Sequence, residues 1–188
     1  MESMPLIEPV PNWMKVNYTY CPKCGSTLGR RLIRVSEPAQ LVCNACGFVF
    51  FLDPKVAVGT IVPLDGRILL VKRAIEPDYG KWVFPGGFVD RGERVEEAAI
   101  RETREESNLL VRVARLLNVY SYPDYPVIVI VFVAEPVGGQ VSAGDETLEA
   151  STFPPETIPW DDLGFPSTAQ ALRDYLQRDK GGHGSHGK

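Results

Sequence analysis

The four cysteines of this 188-residue chain limit its fold more than any other feature, because all of them fall between residues 21 and 46. They form two CxxC pairs, each followed by glycine, which present four thiolates to one metal ion as a tetrahedron. Two disulfides are disfavoured because no secretion signal is evident, and two redox motifs are disfavoured because such motifs do not come as a matched pair. We predict a small zinc ribbon whose closed, structural Zn²⁺ site is formed by Cys21, Cys24, Cys43 and Cys46.

The composition is that of a soluble globular protein, with 44% hydrophobic and 23% charged residues. Twenty basic and 24 acidic side chains give a net charge of −4, which implies no strong attraction to nucleic acid or to an anionic membrane. The longest unbroken apolar run, residues 127–134, is far shorter than the roughly 20 residues that cross a bilayer. The first residues lack a basic stretch followed by an apolar one, so we expect a cytoplasmic protein that does not bind membranes.

The ribbon region is mildly basic, since residues 1–55 carry six Lys or Arg against four acids, a net charge of +2. Arg30, Arg31 and Arg34 leave two alternatives open, a contact with nucleic acid phosphates or a solvated surface. We favour the solvated surface because the net charge is small. Only two histidines occur, His183 and His186, and both lie in a glycine-rich tail, so we expect no histidine catalysis.

The remainder of the chain predicts an α/β fold with a mixed sheet and helices on its faces. Apolar runs at 55–63 and 67–73 flank Asp65-Gly66, a strong hairpin signal, and two further strands are expected near 112–121 and 127–135. Residues 93–107 lack Gly and Pro and predict a helix. A loop is expected around Gly138–Glu146, and a last helix over 167–177, capped by Ser167 or Thr168.

The first helix carries an acidic cluster, because Glu102, Glu105 and Glu106 share one face at spacings i, i+3 and i+4. The same face begins with apolar residues, so these carboxylates continue the surface that packs against the protein. Clustered carboxylates in a partly dehydrated place either protonate or bind cations, and oxygen ligands suit Mg²⁺ or Mn²⁺. A solvated charged helix, with Arg101 and Arg104 pairing with neighbouring acids, remains the alternative.

The loop before this helix supplies a resemblance to a known family. Gly87, Glu93, Arg101-Glu102 and Glu105-Glu106 match the six charged or glycine positions of the Nudix box, GX5EX7REUXEEXGU, that precede its last glycine. Two positions depart from the box, since Thr103 replaces an aliphatic residue and Asn108 replaces the final glycine. Asn tolerates the left-handed conformation that ends a helix, so we expect the turn to survive.

The resemblance implies a Nudix α/β/α sandwich preceded by the zinc ribbon. The ribbon with an N-terminal extension is expected over residues 1–52, the Nudix hydrolase domain over 53–179 and a disordered tail over 180–188. The implied activity is divalent-metal-dependent hydrolysis of the pyrophosphate bond of a nucleoside diphosphate linked to another moiety. A small-molecule nucleotide is therefore the expected partner, and a homodimer is common in the family.

Roles for individual residues also follow from the resemblance. Arg101 would hold the carboxylates in position, and Glu93 would support the loop or a water. The general base varies in the family, and Glu146 and Glu149 are candidates beside Glu105, although both could simply stabilise a turn. The metal ligands implied are Glu102, Glu105, Glu106 and the carbonyl of Gly87, and the catalytic residues implied are Glu105, Glu106 and Glu149. The substrate-binding candidates are Arg73, Trp82 and Tyr120, against the alternatives of a surface salt bridge for Arg73 and of core packing for the aromatic residues.

The arrangement of a ribbon before a Nudix domain resembles NADH pyrophosphatases, but the SQPWPFPxS-like segment of those enzymes is missing. The stretch IPWDDLGF at 158–165 is more similar to the subgroup associated with ADP-ribose and FAD hydrolysis. ADP-ribose or FAD is therefore the expected substrate. The alternatives are a nucleotide-sensing or nucleic-acid-binding regulator that uses the ribbon, and an NADH or RNA-cap pyrophosphatase.

Overall fold

The computed structural model describes residues 18–123 and 125–181, and the side chains of 179–181 are not considered. The prediction of a disordered tail over residues 180–188 therefore falls outside the described residues from 182 onward, histidines included, and it is wrong for residues 180 and 181, which continue the last helix. The chain divides at Pro54 into two compact units, with Tyr125 and Pro126 grouped with the first.

The first unit is built on a three-stranded antiparallel sheet. Its strands are β1 (Leu28–Arg31), β2 (Gln40–Cys43) and β3 (Val49–Phe50), in that order across the sheet. The two CxxC turns lie beside this sheet, the first before β1 and the second between β2 and β3. The sheet therefore brings the two turns together, which is the arrangement expected of a ribbon.

The second unit contains the predicted mixed sheet. Its strand order is β8-β4-β10-β9, where β4 and β10 are parallel and the other two pairs are antiparallel. The strands are β4 (Lys55–Ile61), β8 (Gly86–Phe88), β9 (Leu109–Tyr120) and β10 (Val127–Gly139). β9 begins three residues before the predicted strand, and β10 continues four residues past the predicted end.

A second, antiparallel sheet has the order β11-β6-β5, with β7 pairing to β6. Its strands are β5 (Pro63–Leu64), β6 (Arg67–Arg73), β7 (Trp82–Val83) and β11 (Thr147–Phe153). Asp65 and Gly66 connect β5 and β6 with φ angles of 48° and 77°, so the predicted hairpin is confirmed. β11 was not predicted, because its consecutive residues Leu148 and Glu149 are both exposed and the strand lacks the alternation of buried and exposed residues that is typical of a strand.

In the described part of this unit, two helices and two short 3-10 turns complete the fold: α1 (Val95–Ser107), α2 (Pro166–Gly181), Pro155–Thr157 and Trp160–Asp162. α1 starts two residues later than predicted, because Arg94 has extended backbone angles. The predicted caps of α2 are wrong, since Ser167 and Thr168 are buried inside a helix that begins at Pro166. Proline suits a first helical position because its φ is already helical and it lacks an N–H.

The two faces of the mixed sheet bury different helices. On one face Val58 and Phe132 pack with Ala98 and Ala99 of α1. On the other face, Ile61, Val131 and Val133 join a larger core with Leu70 of β6 and Leu172 of α2. Because alternate residues of a strand point to opposite faces, one β-strand supports both layers. The fold is thus the α/β/α arrangement that the resemblance implies, and α1 is fixed directly on the sheet.

Candidate active site

The four cysteines of the first unit form one compact cluster. All four Sγ atoms lie within 4.8 Å of one another, with Cys21 and Cys43 buried and Cys24 and Cys46 exposed. The closest contacts cross between the two turns, at 3.8 Å for Cys21 with Cys46 and 3.5 Å for Cys24 with Cys43. Four sulfur ligands at such separations fit a tetrahedral Zn²⁺ site.

The electrostatics of this cluster favour a cation. The Cys46 N–H donates to Cys43 Sγ at 3.4 Å and lowers the pKa of the Cys43 thiol to about 6. The Phe48 N–H also favours a thiolate at Cys46, but the neighbouring thiols, led by Cys24, together with burial raise the pKa of Cys46 to about 11. Four thiols so close together compete for protons, and a bound dication would remove that competition.

In the second unit, a glycine turn lies directly against α1. The Gly86 N–H donates to Oε2 of Glu106 over 2.8 Å. A Cβ placed on Gly87 would lie 2.5 Å from the carboxylate of Glu102, so a larger residue would push that carboxylate out of its present position. The turn that opens the Nudix-like motif and the acidic helix that closes it therefore form one site.

Arg101 connects three of the acids in this site. Its Nε and Nη2 each donate to one oxygen of Glu93 at 2.8 Å. Its Nη1 donates to Glu102 at 2.7 Å and to Glu105 at 3.0 Å. The bidentate contact lowers the pKa of Glu93 to about 2. Arg101 thus keeps Glu93 ionised, and its hydrogen bonds hold all three carboxylates in fixed positions.

Glu106 differs from the other acids because it is buried, with only 7% of its surface exposed. Burial raises the pKa of Glu106 to about 8, against the opposing effect of the Gly86 N–H. The charges of Glu102 and Glu146 raise it further, while Arg73 opposes them. A buried carboxylate that receives one described hydrogen bond is an unstable anion by itself, and a cation at this position would stabilise it.

Glu102 lies between the buried Glu106 and the exposed Glu105 in its surroundings, because it is largely buried but paired with Arg101. Burial raises its pKa, the Arg101 guanidinium opposes this change, and the charges of Glu105 and Glu146 add to it. The solvated part of the alternative therefore fails for Glu102 and Glu106, whereas the pairing of Arg101 with neighbouring acids that it included is observed. Of the three acids, only Glu105 fits the solvated description, with a side chain that is 57% exposed.

The carboxylates do not yet converge on one point. Among the residues that the structure describes, the four thiols are the only group of three or more metal-binding side chains whose ligand atoms all lie within 4.8 Å. Arg101 draws Glu102 and Glu105 towards itself, whereas the Gly86 N–H holds Glu106. All donors available here are oxygens, which fits Mg²⁺ or Mn²⁺ better than a soft metal.

The C-terminus of α1 ends as expected, and it anchors a loop. Asn108 takes the left-handed conformation with φ 55°, as predicted for the residue that replaces glycine. The N–H groups of Ser142 and Gly144 donate to the carbonyls of Ser107 and Glu106 at 3.0 and 3.2 Å. These bonds satisfy carbonyls that a helix end otherwise leaves unpaired. The loop before β11 is thereby fixed against the acidic helix.

Glu146 lies at the end of this loop, where its charge acts on both Glu102 and Glu106. Its backbone carbonyl accepts a hydrogen bond from the Ala74 N–H at 3.0 Å, which ties the loop to the end of β6. The sequence signal for the position of Glu146 is the run Gly144-Asp145-Glu146. Its glycine lets the loop backbone come close to α1, and its acids then follow directly.

Glu149 lies elsewhere on β11. It is exposed, and its described side-chain partner is Ser151, whose hydroxyl donates to it at 2.9 Å. In the described part of the chain no interaction links Glu149 to the acids of α1. A catalytic role for Glu149 remains a prediction from the resemblance, and Glu146 is the better placed of the two.

Of the three substrate-binding candidates, Arg73 lies near the acidic site, whereas Trp82 and Tyr120 lie in the core. The positive charge of Arg73 lowers the pKa of Glu106 against the effect of burial. The Arg73 guanidinium donates to the Pro77 carbonyl at 2.9 Å and lies 5.0 Å from the centre of the Phe165 ring. Trp82 and Tyr120 are instead 7% and 3% exposed within the core, where Trp82 packs against Phe153. This burial argues against base stacking by either aromatic residue and supports the alternative of core packing.

Within residues 18–123 and 125–181, no helix combines the length and the apolar character needed to cross a membrane.

Comparisons with known proteins place the chain in a family. A family profile described as the NUDIX domain matches residues 53–175. An ADP-ribose pyrophosphatase from Methanocaldococcus jannaschii is 42% identical over 135 residues, which is 70% of this chain and 78% of that protein. The NAD-capped RNA hydrolase NudC from Photorhabdus laumondii is 32% identical over 66% of this chain and 47% of its own length. A crystal structure of a NUDIX hydrolase from Nitrosomonas europaea is 33% identical, with a TM-score of 0.83 over 88% of this chain and 94% of that one. The chain belongs to the Nudix family and is a Nudix hydrolase.

Proposed function

We propose that this protein hydrolyses the pyrophosphate bond of ADP-ribose with the help of Mg²⁺ or Mn²⁺. The observation that carries this proposal is the buried carboxylate of Glu106, fixed by the Gly86 N–H beside Glu102. Such a carboxylate costs free energy as an anion unless a cation or proton compensates it.

The chain's own residues would divide the work. Glu102, Glu105 and Glu106, with the Gly87 carbonyl, would hold the divalent cations, and Arg101 would keep the two more exposed carboxylates in place. When bound, such cations neutralise diphosphate charge and lower the pKa of a bound water. Arg73 would bind a phosphate oxygen, since its guanidinium is already held by the Pro77 carbonyl and the Phe165 ring.

The proposed reaction needs a base for the attacking water. Glu146 would accept one proton as the water oxygen attacks one phosphorus, because it is the acid on a separate loop whose charge reaches the α1 carboxylates. The bond between that phosphorus and the bridging oxygen breaks, and the bridging oxygen leaves with the other phosphate. From ADP-ribose the products are AMP and ribose 5-phosphate.

ADP-ribose is preferred over FAD because the relative named an ADP-ribose pyrophosphatase is 42% identical over 78% of its own length. A second candidate, the NAD-capped end of RNA, is favoured by the similarity to NAD-capped RNA hydrolases, although the chain spans about half of the length of the one described above. The ribbon supports the RNA candidate weakly, since Arg31 already donates to Asn44 and Arg34 pairs with Glu37.

A substrate panel tests the proposal. The purified protein is incubated with Mg²⁺ and, separately, ADP-ribose, FAD, NADH, NAD-capped RNA, diadenosine polyphosphates and nucleoside triphosphates, and the products are separated by chromatography. We expect the largest kcat/KM for ADP-ribose. Faster hydrolysis of FAD, NADH or NAD-capped RNA would replace ADP-ribose by that substrate, and no hydrolysis of any compound would refute the proposal.

The remaining features of the proposal concern assembly and the ribbon. We propose one structural Zn²⁺ in the ribbon, held by the four thiols described above. The homodimer and the cytoplasmic location remain predictions, the first testable by light scattering of the purified protein.

A further inference from the structure

We propose that a buried pair of hydroxyl groups, on Thr60 of β4 and Thr103 of α1, sets the position of the metal-binding carboxylates. Both side chains are fully buried, and their Oγ1 atoms lie 2.7 Å apart. Thr103 also donates to the Ala99 carbonyl at 2.7 Å, which uses its one proton, so Thr60 is the donor between the two hydroxyls. The inference rests on the proposed function of the carboxylate site.

Thr60 connects both sides of that site. The backbone N–H of Thr60 donates to the Pro85 carbonyl at 2.9 Å. Gly86, the residue after Pro85, donates its own N–H to the Glu106 carboxylate. The Thr60 hydroxyl meanwhile bonds Thr103, which precedes Glu106 by about one helical turn. A closed ring of hydrogen bonds therefore runs from the glycine turn through β4 into α1 and back through the Glu106 carboxylate.

The surroundings leave this ring little freedom to shift. A Cβ on Gly59 would overlap the Phe84 ring, and one on Gly86 would overlap the Val58 carbonyl and lie 2.7 Å from Gly59 Cα. The glycine turn therefore packs on the β4 backbone without a gap. The Thr60 to Thr103 bond is the polar contact that fixes how α1 is rotated on the same strand.

An aliphatic residue at position 103 would fill the same space but could not serve this purpose. Apolar packing tolerates small rotations of a helix, whereas a hydrogen bond weakens steeply as its distance and angle change. The threonine that departs from the Nudix pattern is thus a positioning residue, and Thr60 is its partner. Groups that hydrogen-bond a metal ligand directly typically change metal affinity or activity by about 10–100-fold when they are removed, and this pair, one contact further from the ligands, should act at the lower end of that range.

The test measures Mn²⁺ binding to the full chain by electron paramagnetic resonance without substrate, together with kcat and KM for ADP-ribose. Thr103→Val and Thr60→Val should each weaken Mn²⁺ affinity about tenfold and lower kcat more than they raise KM. Thr103→Ser keeps the hydroxyl and should bind Mn²⁺ within about twofold of wild type. The double variant, with both Thr60→Val and Thr103→Val, leaves no unpaired hydroxyl. Its fold-loss of Mn²⁺ affinity should therefore be smaller than the product of the fold-losses of the two single variants.

Thr168→Val is the matched control. Thr168 is 1% exposed in α2, and its hydroxyl is one of two buried side-chain polar atoms without a hydrogen-bond partner in the described part of the chain. This control should bind Mn²⁺ like wild type. Should either single variant fail to fold, the double variant supplies the same comparison, because it buries no unpaired hydroxyl.

The inference is overturned if Thr103→Val and the double variant bind Mn²⁺ as tightly as wild type, or if Thr168→Val weakens binding equally. Failure of the proposed function has a different signature, because wild type itself would then neither bind Mn²⁺ more tightly than Glu106→Gln nor hydrolyse ADP-ribose.

Discussion

Among single residues, Glu106 has the most unusual environment, and its burial predicts a pH dependence of stability. Its pKa is about 8 in the folded chain against 4.5 for an ordinary glutamate, so the folded state binds this proton more tightly than the unfolded state does. Without added Mg²⁺ or Mn²⁺, its contribution to the free energy of unfolding is fully present below about pH 4.5 and is lost as the pH rises through about 8. Glu106→Gln should remove this part of the decline.

Urea unfolding at about pH 5 and about pH 8.5 measures this effect. Glu105→Gln is the matched control, because it removes a neighbouring carboxylate whose side chain is 57% exposed, and it should keep the wild-type pH dependence. An equal decline in wild type and in Glu106→Gln would contradict the assigned burial.

The general base can be identified by a second pair of substitutions. Glu146→Gln should lower kcat by about 10² or more, because general acid–base catalysis contributes at least that much. Glu149→Gln alters an acid on the next strand whose described partner is Ser151, and it should leave kcat nearly unchanged. If Glu149→Gln lost activity and Glu146→Gln did not, the original prediction for Glu149 would replace the one made from the geometry.

At this scale the sequence predicted what depends on spacing, including the inward-facing acids of α1, and could not decide the burial of single aromatic residues. The six motif residues could be found because a helix repeats every 3.6 residues and the glycine turn precedes it at a fixed distance. The placement of Trp82 and Tyr120 could not, because an aromatic residue in a core and one in a binding site look alike in one sequence. Thr60 gave no signal, since its role depends on a contact with a residue 43 positions away.

Between elements, the hydrogen bonds of Ser142 and Gly144 fix the loop of residues 142–146 on the end of α1. A Cβ on Gly144 would overlap the Glu105 carbonyl oxygen, so Gly144→Ala forces the loop to move and displaces Glu146. We expect kcat for ADP-ribose to fall at least about tenfold, since displacements of about 1 Å at a site can cost 10²-fold. Steady-state kinetics and a thermal melt would measure both effects.

Gly138→Ala is the control for this substitution. A Cβ at Gly138 would meet Leu110 Cδ1 at an ordinary 3.5 Å, and the loop that carries Glu146 is not involved. Its kcat should equal that of wild type. Equal kinetics for Gly144→Ala and wild type would mean that the loop position does not matter for catalysis.

The elements themselves were predicted unequally, for physical reasons. Long apolar runs and the Asp65-Gly66 turn defined β4, β6 and β10, because local chemistry determines them. The short strands β7 and β8 lie in the stretch that the sequence predicts only as the loop before α1, since they contain two and three residues and form through pairing with distant strands. β11 is stabilised by its register with β6, which the local pattern does not reveal.

For the whole molecule, the two units predict two different metals. The first unit should hold about one Zn²⁺ per chain, measured by elemental analysis after dialysis. Cys43→Ser should reduce this content to near zero, because it removes a buried ligand of the four-thiol cluster. A protein that folds normally without zinc, or a Cys43→Ser variant that keeps it, would contradict the ribbon site.

The central claim is that the carboxylates of α1 support pyrophosphate hydrolysis. The most direct measurement compares Mg²⁺-dependent conversion of ADP-ribose to AMP and ribose 5-phosphate by wild type and by Glu106→Gln, with circular dichroism to verify the fold of both. The account predicts that wild type forms the two products in equal amounts and that the variant is slower by orders of magnitude. A folded Glu106→Gln variant with the wild-type rate would contradict it.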